Sequence, residues 1–147
     1  MSVNPDVAGR SYPPAPPFQV GREAVRAFAS AVQAQHPAHH DVEAARALGH
    51  ADLLAPPTFA VVIAQRAEAA AVNDPEVGID FSRVVHGEES FTLHRPVVAG
   101  DRLVPTLTVE SVRAAGGHAM VTTRVALADE DGAEVAAVRS MLVVRGD

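Results

Sequence analysis

The sequence predicts an α+β fold in which one long central helix is wrapped by a curved antiparallel β-sheet. Two observations carry this. The stretch Phe59-Ala60-Val61-Val62-Ile63-Ala64 has no polar side chain on any face, and a helix apolar all round is enclosed on more than one side. The second half of the chain, from Val84 to Val144, reads as consecutive strands joined by short Gly- and Asp-rich turns. Helices first and successive strands afterwards point to an antiparallel sheet rather than to alternating β-α units.

The elements follow in order. Residues 1–17 hold five of the eleven prolines, including Pro13-Pro14-Ala15-Pro16-Pro17, and predict an extended arm laid on the surface. Phe18-Gln19-Val20 predicts a short first strand ending at Gly21. Arg22 to Gln35 predicts a helix with Val25, Phe28, Ala29 and Val32 on one face, broken by Pro37. His36-Pro37-Ala38-His39-His40 is a loop, and Asp41 caps a short helix from Val42 to Leu48 that Gly49 closes. The central helix opens at Ala55-Pro56-Pro57-Thr58-Phe59, where missing N–H groups cost little, and Asn73-Asp74-Pro75 stops it. Its many alanines leave room for other backbone to approach. Arg66 and Glu68 come too soon for it to span a bilayer.

Val84 to His94 predicts a strand, and Pro96 to Asp101 a turn. Arg102 to Arg113 is a long strand in which Pro105 marks a bulge or an edge. Ala114-Ala115-Gly116-Gly117 turns the chain, His118 to Leu127 returns, Asp129-Glu130-Asp131-Gly132 turns it again, and Ala133 to Val144 is the last strand. One long sheet curled around one buried helix is the hot-dog architecture. A single domain over residues 1–147 is expected from the length and the 48% hydrophobic content.

Composition excludes some functions. The net charge is -6, with 18 acidic residues against 12 basic ones, all arginine, which argues against a nucleic-acid partner. There is no cysteine, hence no disulfide and no thiolate chemistry. Met1-Ser2-Val3-Asn4-Pro5-Asp6 has neither a charged n-region nor an apolar h-region, so a cytoplasmic location without membrane attachment is expected.

The residues from Ala31 to Asp41, Ala-Val-Gln-Ala-Gln-His-Pro-Ala-His-His-Asp, resemble the loop of MaoC-like (R)-specific hydratases and dehydratases, whose pattern is roughly A-x-G-D-x-N-P-x-H-x-D. The resemblance resumes at Arg95-Pro96-Val97-Val98-Ala99-Gly100-Asp101-Arg102-Leu103. Ala55-Pro56-Pro57-Thr58-Phe59 and Ser82-Arg83-Val84-Val85-His86-Gly87-Glu88 are similar to FAS1-like dehydratase domains, and specifically to the HadA-type, non-catalytic subunit of (3R)-hydroxyacyl-ACP dehydratases. The resemblance implies syn removal or addition of water across the α and β carbons of an acyl thioester, which needs a base and an acid. The family uses an Asp and a His five positions apart. Here the His is kept as His39, the Asp position is Ala34, Gln33 replaces Gly and His36 replaces Asn. A His-Gly pair opens the central helix in catalytic members and its Gly amide stabilises the enolate-like oxygen. Pro56 and Pro57 stand there, and Pro57 has no N–H.

The resemblance therefore implies a substrate-binding, non-catalytic subunit. Ala34, Pro57, Thr58, Phe59 and His86 would contact substrate, and His39 is the one remaining catalytic candidate. A catalytic MaoC-like hot-dog subunit would complete a heterodimer, or a second copy a homodimer, with the acyl group carried by acyl carrier protein or coenzyme A. Arg95 or Arg102 would meet the phosphopantetheine arm. The alternatives are an acyl-binding or structural homodimer without turnover, and a thioesterase using Glu88 or Glu89. The spacing of His36, His39, His40 and Asp41 fits no zinc signature, so neither metal nor cofactor is expected.

Overall fold

The computed structural model of the chain describes residues 3–146. In chain order it runs β1 (Phe18–Gln19), α1 (Arg22–Ala31), α2 (Val42–Ala47), α3 (Ala60–Val72), β2 (Val84–Leu93), β3 (Arg102–Ala115), β4 (His118–Ala128) and β5 (Glu134–Val144). Single 3₁₀ turns lie at Pro5–Val7, Pro37–His39 and Phe81–Arg83. The strands form one sheet in the order β1-β3-β4-β5-β2, antiparallel throughout. The sheet curls into a half-barrel around α3, which is the hot-dog fold.

Alternation builds the inner wall. Leu103, Pro105, Leu107 and Val109 on β3 and Val121, Thr123, Val125 and Leu127 on β4 are buried, with half-buried residues between them. Gly116 and Gly117 close the β3–β4 hairpin with φ of 57° and 79°. Two positive φ values in succession are what a tight right-twisted hairpin turn needs, and glycine adopts them without a Cβ clash.

The central helix begins within two residues of Thr58, at Ala60. Phe59 clamps its start. That ring is 1% exposed and meets the rings of Phe18 and Phe28 edge-on, at centroid distances of 6.3 and 5.5 Å. The expectation that the helix is enclosed all round is corrected. Ala60, Ile63, Ala64, Ala67, Glu68 and Ala71 are buried, whereas Val61 and Val62 are only half-buried and Gln65, Arg66, Ala69 and Ala70 are exposed. One sheet has one concave face, so within this chain only one face of α3 can be covered.

Helix α1 ends at Ala31, four residues before the expected Gln35. Pro37 is not what stops it. Gln33 adopts φ 59°, the Ala34 N–H donates to Ala29 O at 2.8 Å, and the Gln33 N–H donates to Ser30 O at 3.2 Å. These paired bonds around a left-handed residue are the Schellman ending, which usually falls on glycine. Helix α2 starts as expected, the Asp41 carboxylate accepting from the Glu43 N–H at 2.8 Å.

The N-terminal arm is laid on the sheet and hydrogen-bonded to it. The Gly9, Tyr12 and Ala15 amides donate to the carbonyls of Val109, Leu107 and Pro105 at 2.7 to 2.9 Å, so the arm runs along the outer edge of β3. The backbone groups of Pro105 face the arm rather than β4, so its missing N–H costs the β3–β4 ladder nothing; the edge reading of that proline holds. The bulge in β3 lies at Glu110 instead, between Val109 and Ser111. Val3 and Val7 are buried, and Arg10 and Tyr12 both reach Asp74, at 3.0 and 2.8 Å. The Tyr12 hydroxyl, the Glu76 amide and Arg10 hold the Asp74 carboxyl below its usual range.

Gln33→Gly is expected to stabilise the chain by about 1 kcal/mol, because a side chain in the left-handed region costs roughly that much. Chemical denaturation measures it; an unchanged or lowered midpoint would show that the glutamine carries a compensating contact.

Candidate functional site

The loop after α1 is organised by three histidines, each tied to backbone. The His39 Nδ1–H donates to Leu54 O at 2.6 Å. A carbonyl can only accept, so Nδ1 holds the proton and the neutral ring keeps its lone pair on Nε2. His39 is 8% exposed. His36 accepts the Ala38 N–H on Nδ1 at 3.1 Å, capping the 3₁₀ turn Pro37–His39 as a short polar side chain would. It thereby does locally what an Asn oxygen could do at the same position. The His40 Nε2–H donates to Ala34 O at 2.9 Å, and Arg26 Nε donates to His40 O at 2.9 Å. Ala34 is thus held by its carbonyl, half-buried, with only a methyl group to present.

The loop is joined to the start of α3 by the strand-like segment before it. The Leu54 N–H donates to Ala38 O at 3.0 Å, and the Ala55 N–H to Val97 O at 2.9 Å. Here a mostly apolar cavity of about 410 Å³ opens, lined by Pro56, Pro57, Ala60, Leu93, Pro96 and Val97 among others. Pro57 and Thr58 are exposed. The Phe59 amide is used internally, donating to Pro56 O at 2.9 Å, while the Thr58 amide donates to no protein group. Between the two prolines and the bonded Phe59 amide, the Thr58 N–H is on offer. The Phe59 side chain belongs to the core. Arg95 is locked by both oxygens of Asp101 at 2.9 and 3.0 Å, which fixes the turn before β3. Arg102 is exposed, 3.8 Å from Glu130.

The structure separates His86 from this group. It sits at the opposite end of β2 and lines a second cavity of about 360 Å³ with Gln65, Glu68 and Phe81. Nine residue steps of helix, about 13 Å at 1.5 Å per residue, separate Ala60 from Ala69. Glu88 and Glu89 point to opposite faces. Glu88 lines the outer face beside Arg139 and Met141, while Glu89 turns inward to accept from Ser140 Oγ at 2.8 Å. Gly87 makes this possible: it is the bulge of β2, and a Cβ there would meet Met141 Cε at 2.7 Å.

Sequence reasoning passed over Glu68 as a charge on the helix. It is 5% exposed and accepts from Thr123 Oγ1 at 3.0 Å. The signal was present, since Glu68 falls four and eight residues after Ala64 and Ala60 on the buried stripe. Among the described residues no group of three or more His, Cys, Asp or Glu could hold a metal ion, and no helix is long and apolar enough to cross a membrane.

A curled sheet around α3, with a histidine loop bonded to the segment that leads into that helix, defines the class: a hot-dog chain of the MaoC-like dehydratase type. The sequence matches the family described as FAS1-like, dehydratase domain region over residues 7–138, and the chain belongs to that family. A UPF0336 protein of Leifsonia xyli is 56% identical over 147 residues, covering 100% of this chain and 99% of its own. The fold is similar to that of the C-terminally truncated HadBC (3R-hydroxyacyl-ACP dehydratase) complex of Mycobacterium tuberculosis. That match has a TM-score of 0.85 and 35% identity over 94% of this chain and 97% of the other. A MaoC-like dehydratase matches with a TM-score of 0.88 and 34% identity, over 95% of this chain but 42% of its own.

Burial, then the charge of nearby Glu68, pushes the Glu89 carboxyl above the usual glutamate range, while the Ser140 hydroxyl and His86 oppose this. A carboxyl raised in the folded state penalises folding once it ionises. Stability should therefore fall as pH rises from the ordinary glutamate value, about 4.3, through the raised folded value. Glu89→Gln is expected to remove that fall and to be more stable than the parent at neutral pH. Thermal unfolding at a series of pH values from the ordinary glutamate value, about 4.3, upward to neutrality measures it; parallel profiles for the two proteins would disprove the assignment.

Proposed function

We propose that this chain is the substrate-binding, non-catalytic subunit, of HadA type, in a (3R)-hydroxyacyl-thioester dehydratase. One observation carries the reading. The His39 loop is built and its tautomer is set, yet the position that should face it with a carboxylate is Ala34. Dehydration needs one group to take the α proton and another to protonate the leaving hydroxyl, and a methyl group does neither. Pro57 withdraws a second function, since it has no amide to meet a developing oxyanion.

The missing parts would come from a catalytic MaoC-like subunit whose loop keeps the Asp and the His. Two features of this chain support such a partner. Strand β2 is an edge strand of ten residues, with Val85 47% and Leu93 39% exposed. The uncovered face of α3 carries Val61, Val62, Ala69 and Ala70 beside it. A second hot-dog chain pairing along β2 would extend the sheet and cover that face together. The acyl chain would then lie between the two helices, its thioester carried by acyl carrier protein or coenzyme A. The similarity to a chain of the HadBC complex supports both the pairing and the acyl class.

The chain alone is expected to hydrate an enoyl thioester at no more than about one-hundredth of the rate reached with a MaoC-like partner carrying the intact loop. Loss of enoyl absorbance measures it. Turnover by the pure chain within about tenfold of the mixture would overturn the non-catalytic reading. Ala34→Asp alone is expected to remain nearly inactive, and Ala34→Asp with Pro57→Gly to recover measurable turnover. Equal activity of the two folded variants would make the Thr58 amide the oxyanion donor.

A further inference from the structure

The cavity at the far end of α3 is chemically unlike the one at its start. Its lining combines Gln65, Glu68, Asn73 and His86 with the apolar Val72 and Leu142. Glu68 is the element that a plain hydrocarbon pocket would not contain. One of its oxygens takes the hydrogen bond from Thr123, and the other bonds to no protein group. Among the described residues no fully enclosed side-chain oxygen or nitrogen lacks a partner, so this second oxygen opens on the cavity. Glu89 stands behind it on β2, satisfied by Ser140. Neither carboxylate forms an ion pair with an arginine among the described residues. Arg66 is turned away over the ring of Phe18 at 4.7 Å.

At Glu68 this wall presents an acceptor oxygen with no arginine paired to it among the described residues. An alkyl tail laid across it would strip water from the Glu68 oxygen and return nothing. A hydroxyl group replaces the lost water with a donor. We propose that this cavity receives a hydroxyl-bearing part of the acyl group, remote from the reacting carbons, so that the chain selects hydroxylated acyl thioesters over plain alkyl ones of the same length. The inference rests on the reading of this chain as the subunit that holds the acyl thioester. It adds to that reading a substrate class, with Glu68 as the residue that sets it and His86 and Gln65 as its neighbours.

The test is a titration of the full chain with S-acyl pantetheines of equal length: saturated, 3-hydroxylated, and hydroxylated near the far end. The last is expected to bind about tenfold tighter than the saturated compound, since a site built to hydrogen-bond a hydroxyl rejects the analogue without one. Glu68→Gln keeps an acceptor oxygen and should retain the preference; Glu68→Leu should abolish or reverse it. In the unsubstituted protein, backbone amide resonances of Gln65, Glu68 and His86 should shift on addition of the far-hydroxylated compound, which tests the site even where the leucine variant does not fold. Equal binding of the saturated and far-hydroxylated compounds overturns the inference. So does a preference confined to the 3-hydroxyl, which would assign the oxygen to the reacting centre, or the same Glu68 dependence for pantetheine alone, which would assign it to the carrier arm. If none of the acyl pantetheines binds, the subunit reading fails with it; if all bind alike, the subunit reading stands and only the hydroxyl selection falls.

Discussion

Helix α3 carries apolar residues on more than one side, and a single curled sheet can cover only one of them. The rest of the structure follows from that mismatch. Ala60, Ala64, Ala67 and Ala71 bring the helix close against β3, β4 and β5, because a methyl side chain keeps the backbones near. Phe59 fills the space where the helix enters, held by Phe18 from β1 and Phe28 from α1, so two short elements outside the long hairpins help fix its position. What remains uncovered is Val61 and Val62 on one turn, Gln65 and Arg66 on the next, and Ala69 and Ala70 further on, beside the edge strand β2. Burying that surface against a second chain would be favourable for the same reason that the first face is buried.

The histidine loop is held in place by its own backbone bonds. His36, His39 and His40 each give one ring nitrogen to the backbone, at Ala38, Leu54 and Ala34 respectively. Those bonds orient the loop whether or not a carboxylate stands at position 34.

The strands and their turns were legible because local rules decide them. Alternation marked the inner face of β3 and β4, Gly116-Gly117 marked a turn that only glycine enters easily, and Asp41 marked the start of α2. The opening of α3 was legible from Pro56 and Pro57. The end of α1 was not, because Gln33 holds a conformation for which its side chain gives no hint. Contacts between distant segments were equally hidden: nothing local to Val7 says that it is buried, and nothing near Arg10 or Tyr12 names Asp74. Within the candidate site, sequence spacing placed His39 and Ala34 in one loop. It had no means of showing that Glu89 turns inward past the Gly87 bulge, or that His86 lies at the other end of the helix.

The arm before β1 gives the sheet a valence. Backbone hydrogen bonds from Gly9, Tyr12 and Ala15 occupy the outer rim of β3, and the prolines among them have no spare N–H to offer a newcomer. Sheet growth on that side is terminated by the chain itself. Among the described residues, β2 is the long edge strand with no strand or arm laid along its outer rim. A molecule with one open rim and one sealed rim forms a closed pair by strand addition and cannot propagate into a ribbon, since each addition uses up the last available site. Lysine on the rim is a common way to keep strands from adding without limit. This chain, whose 12 basic residues are all arginine, limits the process by termination instead.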